Sequence, residues 1–464
     1  MTTRRALEVA VGFDHLIPLI DEGLGNSAYL VDLGDGRALA VDASRDLRSL
    51  HAAAQRRGLR VAYAADTHLH ADFLSGAVQL GHEHGATVLA SAAGRREFAH
   101  QGLKEGDEVD LGGLTLRALA TPGHTDEHLS FLLLDGGREL GVFTGGSLIV
   151  NSAARTDLLG SDRTDELARA QYHSLRRLTR LPDETAVWPT HGAGSFCSAP
   201  PGSERTTTIG AEKRSNPLLA APDEDTFVRH LLASLGTYPA YFARLAEANR
   251  RGPAALTAEP TLPALDTGQV RALLADGGYV VDVRPAADYA AGHIPGSLSI
   301  PLRDKFATWL GWLLPDQTPL AFVTGANQDL SEIVWQAYKI GYERLAGRLG
   351  GGMAAWQEAG LPQTKTPFVT ADRAPKTTYI DVRQAAEYAD GHVPGALHLE
   401  LGALAERAAD APDGAVVACA HGERAMTAAS ILERAGRTGL TVLNGSPRGY
   451  AAAHGLGLTE GEAR

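Results

Sequence analysis

The sequence predicts an α/β protein: two sheets with helices outside, followed by two copies of a smaller α/β unit. Three observations carry this. Short apolar runs alternate with helical segments through the first half of the chain. Histidines recur just past the ends of three such runs, at His68 and His70, at His124, and at His191. Val280-Val281-Asp282-Val283-Arg284 and Gly292-His293-Ile294-Pro295-Gly296 come back 99 residues later as Tyr379-Ile380-Asp381-Val382-Arg383 and Gly391-His392-Val393-Pro394-Gly395.

The 464 residues allow roughly two to four domains with cores of ordinary size. A hydrophobic fraction of 44% and a charged fraction of 21% are those of a soluble globular chain. The net charge of -12 is spread along the sequence, and no basic patch interleaved with aromatics stands out, which argues against a nucleic-acid partner. No apolar run reaches the ~18 residues of a membrane span. Arg4 and Arg5 are followed closely by Glu8 and Asp14, so the N-terminus lacks the unbroken apolar core of a signal peptide. The expectation is a cytoplasmic protein with no membrane partner. Cys197 and Cys419 are the two cysteines, which excludes a disulfide framework and leaves each thiol to be explained singly.

The elements of the first half follow in order. Asn26 to Leu33 and Ala38 to Asp42 flank Gly34-Asp35-Gly36, a hairpin pattern. Leu47 to Arg57 reads as helix, 60 to 66 as strand, and Phe73 to Glu83 as helix. Strands then follow at 87 to 90, 108 to 119, 129 to 134 and 140 to 144. In the loop after the strand at 60 to 66, His68 and His70 stand at i and i+2 of extended chain, so both imidazoles can approach one ion, with Asp72 close by. Pro122 and Gly123 force a turn that presents His124, with His128 four residues on. His191 follows the apolar run ending in Trp188-Pro189.

This order of ligand-type residues resembles the metallo-β-lactamase fold, whose signature is His-x-His-x-Asp-His, a later His, an Asp after a Thr-Gly turn and a final His. His68, His70, Asp72, His124 and His191 match it in order. The resemblance implies an αββα metallo-β-lactamase sandwich over residues 1–258. Arg155-Thr156-Asp157 and Lys213-Arg214-Ser215-Asn216-Pro217 look like the persulfide dioxygenase branch, which uses one Fe(II) and oxidises glutathione persulfide to sulfite. Phe73 stands at the family's second-metal histidine, and Thr144-Gly145-Gly146 puts Gly146 at its Asp ligand. Losing both removes one terminal and one bridging ligand, so a two-metal hydrolase is disfavoured. His68, His70 and His124 are the simplest three-His face for one ion, with Asp72, His128 or His191 as a fourth group. The implied cofactor is Fe(II), with Zn as alternative. Arg155, ahead of Lys213 and Arg214, is the candidate for carboxylates of a glutathione-like persulfide. Cys197, six residues past His191, is either a substrate-side thiol or a small apolar filler.

The repeat resembles the rhodanese domain, in which Asp-Val-Arg follows a core strand and Gly-His-Ile-Pro-Gly closes the next turn. It covers residues 259–365 and 366–464, with Gly351-Gly352, Trp356 and Gly360-Leu361-Pro362 as the closing motif of the first copy. Pro260 to Pro263 and Thr364 to Pro367 read as short linkers. In the second copy an apolar strand runs into Cys419-Ala420-His421-Gly422-Glu423-Arg424. Backbone N–H groups of such a loop, the start of a helix near Ala425 and the charge of Arg424 favour a thiolate and then a persulfide on Cys419. The matching loop of the first copy, Phe322 to Asn327, has no cysteine, and a structural or docking role is expected for that copy.

Together these resemblances imply an iron-dependent persulfide dioxygenase with sulfurtransferase activity. Cys419 would exchange sulfane sulfur with sulfite or a thiol acceptor, and homo-oligomerisation is left open. A metal-dependent thioester hydrolase of the glyoxalase II kind, and a metal-free sulfur carrier or sensor acting through Cys419, are the competing readings.

Overall fold

The computed structural model describes residues 13–197 and 204–461. Arg4, Arg5 and Glu8, on which the reading of the N-terminus rests, lie outside them. Among the described residues no helix is long and apolar enough to cross a membrane. The chain divides into two compact units. The first runs to Leu235 and takes in Ala240–Glu259 and Tyr338–Gly341. The second holds Gly236–Pro239, Pro260–Ala337 and the chain from Tyr342 onward, so both repeats fall within it apart from Glu259 and Tyr338–Gly341 of the first.

In the first unit, β1 (Leu16–Asp21), β2 (Asn26–Asp32), β3 (Arg37–Val41), β4 (Arg60–Ala65), β5 (Thr87–Ser91) and β6 (Gln101–Leu103) form one six-stranded sheet in that order, with α1 (Arg48–Arg57) and α2 (Ala77–His84) in the crossovers. A second six-stranded sheet is built from β7 (Glu108–Asp110), β8 (Leu114–Ala120), β9 (Leu129–Asp135), β10 (Arg138–Gly145), and the later strands Ala186–Pro189 and Thr207–Thr208. Strands of both sheets contribute Tyr29, Val31, Phe131, Phe143 and Trp188 to the core between them. Leu30, Ala40, Leu50 and Leu80 pack under α1 and α2. Leu132, Val142, Leu175 and Phe227 lie between the second sheet and its helices. Helix, sheet, sheet and helix are thus four layers, each sheet buried on both faces by its alternating side chains. Each large apolar side chain so buried stabilises the fold by roughly 1.5–3 kcal/mol. Within the second sheet, Gly141 leaves room for the Trp188 ring of the neighbouring strand, because a Cβ there would stand 2.3 Å from it.

Two expected elements differ. The helix expected from Phe73 begins at Ala77: Ser75 Oγ donates to Asp66 and accepts from the Ala77 N–H, which keeps residues 73–76 out of the helix. The strand expected over 108 to 119 is two strands, because Gly112 and Gly113, with φ of 89° and 125°, turn the chain back between them.

In the second unit each repeat carries a five-stranded all-parallel sheet of the same order. The first runs Ala264–Leu265, Leu345–Leu349, Leu320–Val323, Tyr279–Asp282, Leu298–Ser299; the second runs Phe368–Val369, Thr441–Leu443, Val416–Ala418, Tyr379–Asp381, Leu397–His398. Asp282 pairs with Val323 and Asp381 with Ala418, so strand register sets Thr324 of the first repeat where Cys419 stands in the second.

Candidate functional site

The sandwich delivers its polar residues to one edge. The loop after β4 carries His68, His70 and Asp72; Asp42 follows β3; the turn after β8 carries His124; Gly146 follows β10; and His191 follows the strand Ala186–Pro189. Asn26, the first residue of β2, bridges to His191 across the same edge. His68, His70, Asp72, His124, His128 and His191 are all buried. Sequence spacing brings three strand ends together here; only the closed sandwich adds Asn26 and Asp42.

Ligand atoms of His68, His124 and His191 lie within 4.8 Å of one another, as do those of His70, Asp72 and His191. His191 is shared by both groups. The surrounding bonds assign the protons of the first group. Thr67 Oγ1 donates to Asp42 Oδ2 at 2.8 Å and so accepts from His68 Nδ1 at 2.9 Å. His124 Nδ1 donates to the Arg155 carbonyl at 2.6 Å. Asn26 donates through Nδ2 to Asp72 at 2.7 Å, which leaves its Oδ1 to accept from His191 Nδ1 at 3.1 Å. Each ring therefore carries its proton on Nδ1 and turns an Nε2 lone pair inward. His68 Nε2 and His191 Nε2 stand 3.4 Å apart, and His124 Nε2 has no hydrogen-bond partner. Burial, reinforced by the neighbouring imidazoles, holds His68 well below the usual histidine range and His124 and His191 down to about 3. Three neutral imidazoles, each held by an acceptor on its far nitrogen, are a donor set suited to one transition-metal ion.

His70 is held differently. Its Nε2 meets Asp42 Oδ1 at 3.1 Å and its ring stacks on Phe73 at 4.2 Å, while its Nδ1 has no hydrogen-bond partner. Burial opposes charge on both residues, yet the Asp42 carboxylate raises His70, and His70 with Thr190 and Thr67 holds Asp42 down at about 2. His128 accepts the Gly146 N–H on Nε2 at 3.0 Å, and its Nδ1 meets Thr121 Oγ1 at 3.0 Å. Its inward lone pair is already engaged. At Gly146 a Cβ would stand 2.3 Å from His124 Cδ2. The imidazole fills the space in which a carboxylate side chain would start.

The expected substrate contacts stand elsewhere. The Arg155 guanidinium is buried, paired with Asp157 at 2.7 and 2.8 Å and bonded to the Phe196 carbonyl at 3.0 Å. Its link to the cluster is the carbonyl under His124. Lys213 pairs with Asp183 at 2.7 Å, and Arg214 is exposed. Cys197 is fully buried; burial and then the nearby Asp72 push its thiol well up, so it stays protonated.

In the second repeat, Cys419 Sγ accepts the Gly422 N–H at 3.1 Å, and the helix Glu423–Arg434 starts directly after it. Arg424 makes a bidentate pair with Glu387 at 2.6 and 2.7 Å. Nothing in the motifs of the sequence marks Glu387, Asn26 or Asp42 as site residues. Asp42 alone leaves a local trace, as an acid ending an apolar strand.

Residues 21–191 match the family model described as metallo-beta-lactamase superfamily, and residues 266–359 and 369–453 match that of the rhodanese-like domain. The chain is 34% identical over 182 residues to the hydroxyacylglutathione hydrolase of Methylococcus capsulatus, covering 38% of this chain and 64% of that protein. It is 30% identical over 174 residues to the human mitochondrial persulfide dioxygenase ETHE1, covering 36% of this chain and 60% of that one. It thus spans less than two thirds of either relative. A crystal structure of a metallo-beta-lactamase from Staphylococcus aureus superposes with a TM-score of 0.64 at 29% identity, over 72% of this chain and 98% of that one.

Proposed function

Because the N-terminal domain belongs to the metallo-beta-lactamase superfamily and two rhodanese-like domains follow it, we propose that the chain is a sulfur-handling enzyme that joins oxidation of a low-molecular-weight persulfide to sulfur transfer through Cys419. In the first reaction a persulfide, O2 and water give the parent thiol and sulfite. In the second, Cys419 persulfide gives its outer sulfur to sulfite, which leaves as thiosulfate, and the cysteine thiol returns. Product of one centre is acceptor at the other.

The observation that carries the first reaction is the buried trio His68, His124 and His191, each with its proton on the outer nitrogen. These residues would hold one Fe(II), Zn(II) being the competing ion, and the bound ion would supply open positions for persulfide sulfur and dioxygen. Arg155 orients His124 through its carbonyl, Asn26 orients His191, and Thr67 orients His68. Phe73, buried and stacked on the His70 ring, covers that ring on one face. The same Phe73, with Gly146, removes two donors that a second ion needs, which favours this reading over thioester hydrolysis. At Cys419 the Gly422 N–H and the helix start stabilise a sulfur anion.

Protein purified anaerobically with Fe(II) is expected to carry one iron per chain and to consume O2 with glutathione persulfide. His124→Ala should lose both. Metal-replete protein that consumes no O2 but cleaves a glutathione thioester would move the assignment to hydrolase. Gly146→Asp, which drives a side chain into the His124 ring, should lower iron content; a rise would mean that a carboxylate ligand is tolerated beside the three imidazoles.

A further inference from the structure

A second group of ligand-type side chains lies on the outer layer of the first unit, and it shares no residue with the cluster at the strand ends. His51 sits in the first turns of α1; Glu83 and His84 end α2. Glu83 Oε2 stands 3.1 Å from His51 Nε2 and 3.9 Å from His84 Nε2, and the two rings meet edge to face with centroids 5.5 Å apart. All three ligand atoms lie within 4.8 Å of one another. In a tetrahedral zinc site with bonds near 2.0–2.1 Å, neighbouring ligand atoms are roughly 3.3–3.4 Å apart; the two measured approaches to Glu83 bracket that spacing.

Three further features suit a cation here. His51 Nε2 is shielded from solvent and makes no hydrogen bond, despite the carboxylate beside it. Gln79 Nε2 donates to the other oxygen, Glu83 Oε1, at 2.6 Å, so the carboxylate is oriented from behind and its Oε2 stays turned toward the two histidines. The group stands at the C-terminal end of α2, where unpaired carbonyls favour positive charge. Arg60, which donates to the His84 carbonyl at 3.3 Å, is the one opposing charge bonded to this group among the described residues.

We propose that His51, Glu83 and His84 form a separate binding site for a divalent transition-metal ion of the zinc class, joining α1 to α2. Helix α2 directly follows the loop that carries His68, His70 and Asp72, so the ion clamps the far end of the element on which that loop closes. The site needs neither Fe(II) nor persulfide chemistry, and it stands or falls apart from the function proposed above.

The test is zinc stoichiometry of the full chain after equilibration with Zn(II) and removal of free metal. His84→Ala should bind one equivalent fewer than the unmodified protein while keeping the equivalent that His124→Ala loses. In the His124→Ala background, Zn(II) should raise Tm, and adding Glu83→Gln should abolish that rise without changing Tm in the metal-free state. Equal zinc content in His84→Ala and the unmodified protein, or a zinc-dependent Tm rise that survives Glu83→Gln, overturns the proposal.

Discussion

The two repeats of the second unit share a frame and differ in its chemistry. Arg284 bonds Asp282 through Nε at 2.9 Å and Nη2 at 2.6 Å and reaches the Gly292 carbonyl at 2.9 Å; Arg383 does the same to Asp381 at 2.9 and 2.7 Å and to Gly391 at 2.8 Å. His293 stacks on Tyr289 and His392 on Tyr388, both at 3.8 Å. The loops beyond Val323 and Ala418 then part. Where Cys419 accepts the Gly422 N–H, the first repeat has Thr324, and Gln328 folds in to accept from Gly325 N at 2.8 Å and donate to the Val283 carbonyl at 2.6 Å. The helix after that loop begins Leu330-Ser331-Glu332, with no cation in its first turn where the second repeat has Arg424. The recurring Asp-Val-Arg and Gly-His-x-Pro-Gly therefore make the same contacts in both copies, and the difference lies in the loop that does not recur. The first repeat instead grips the helix behind Cys419: Arg303 pairs with Glu423 at 2.9 Å, the Ser299 N–H donates to Ser430 at 3.1 Å, and Arg434 donates to the Gly296 carbonyl at 2.9 Å.

The largest effect should fall on the loop. Cys419→Ser is expected to reduce thiosulfate-to-cyanide sulfur transfer to background, whereas Thr324→Cys should add none, because Gln328 fills that loop and the helix after it begins without a cation. Transfer gained by Thr324→Cys would break the distinction between the two copies.

The shared frame predicts equal costs. Arg284→Ala and Arg383→Ala each strand a buried carboxylate, and each should destabilise its repeat by about 3–5 kcal/mol in urea denaturation. Markedly unequal losses would show that the matching geometries are not energetically equivalent.

A smaller effect is expected at Glu387. Burial alone would raise this carboxyl, but Arg424 holds it below the usual range. The contribution of the pair to stability is complete above the ordinary glutamate pKa and is lost as pH falls through the depressed one. Glu387→Gln should therefore flatten the acid side of the stability profile, by under about 1 kcal/mol for a pair still partly open to solvent. An unchanged profile would mean that Arg424 is not held by Glu387 in solution.

The smallest effect is expected for Arg303→Gln. Its pair with Glu423 is partly exposed, so stability should change by less than about 1 kcal/mol. A loss well above that would show that the pair between the repeats is shielded from solvent, and Arg303→Lys should then recover part of it.

Much of this organisation is legible in the sequence. Turn residues and alternating apolar runs place His68, His124 and His191 at strand ends, because both signals are local. The same locality misleads at residues 73–76, where an apolar run reads as helix but Ser75 is bonded to Asp66 and the Ala77 N–H. It also misleads at Arg155, a cation next to a recognisable motif whose charge is spent on Asp157 and the Phe196 carbonyl.

By itself, then, the sequence determined the sandwich, the repeat, the Cys419 loop and the loss of a carboxylate at Gly146. Only the tertiary structure decided which nitrogen of each imidazole faces inward, that His70 is tied to Asp42, and that His124 fills the space beside Gly146. The physical reason is separation along the chain. Asn26 orients His191 and Asp42 meets Thr190 across most of the first unit, and hydrogen bonds of that kind exist only once the two sheets have closed.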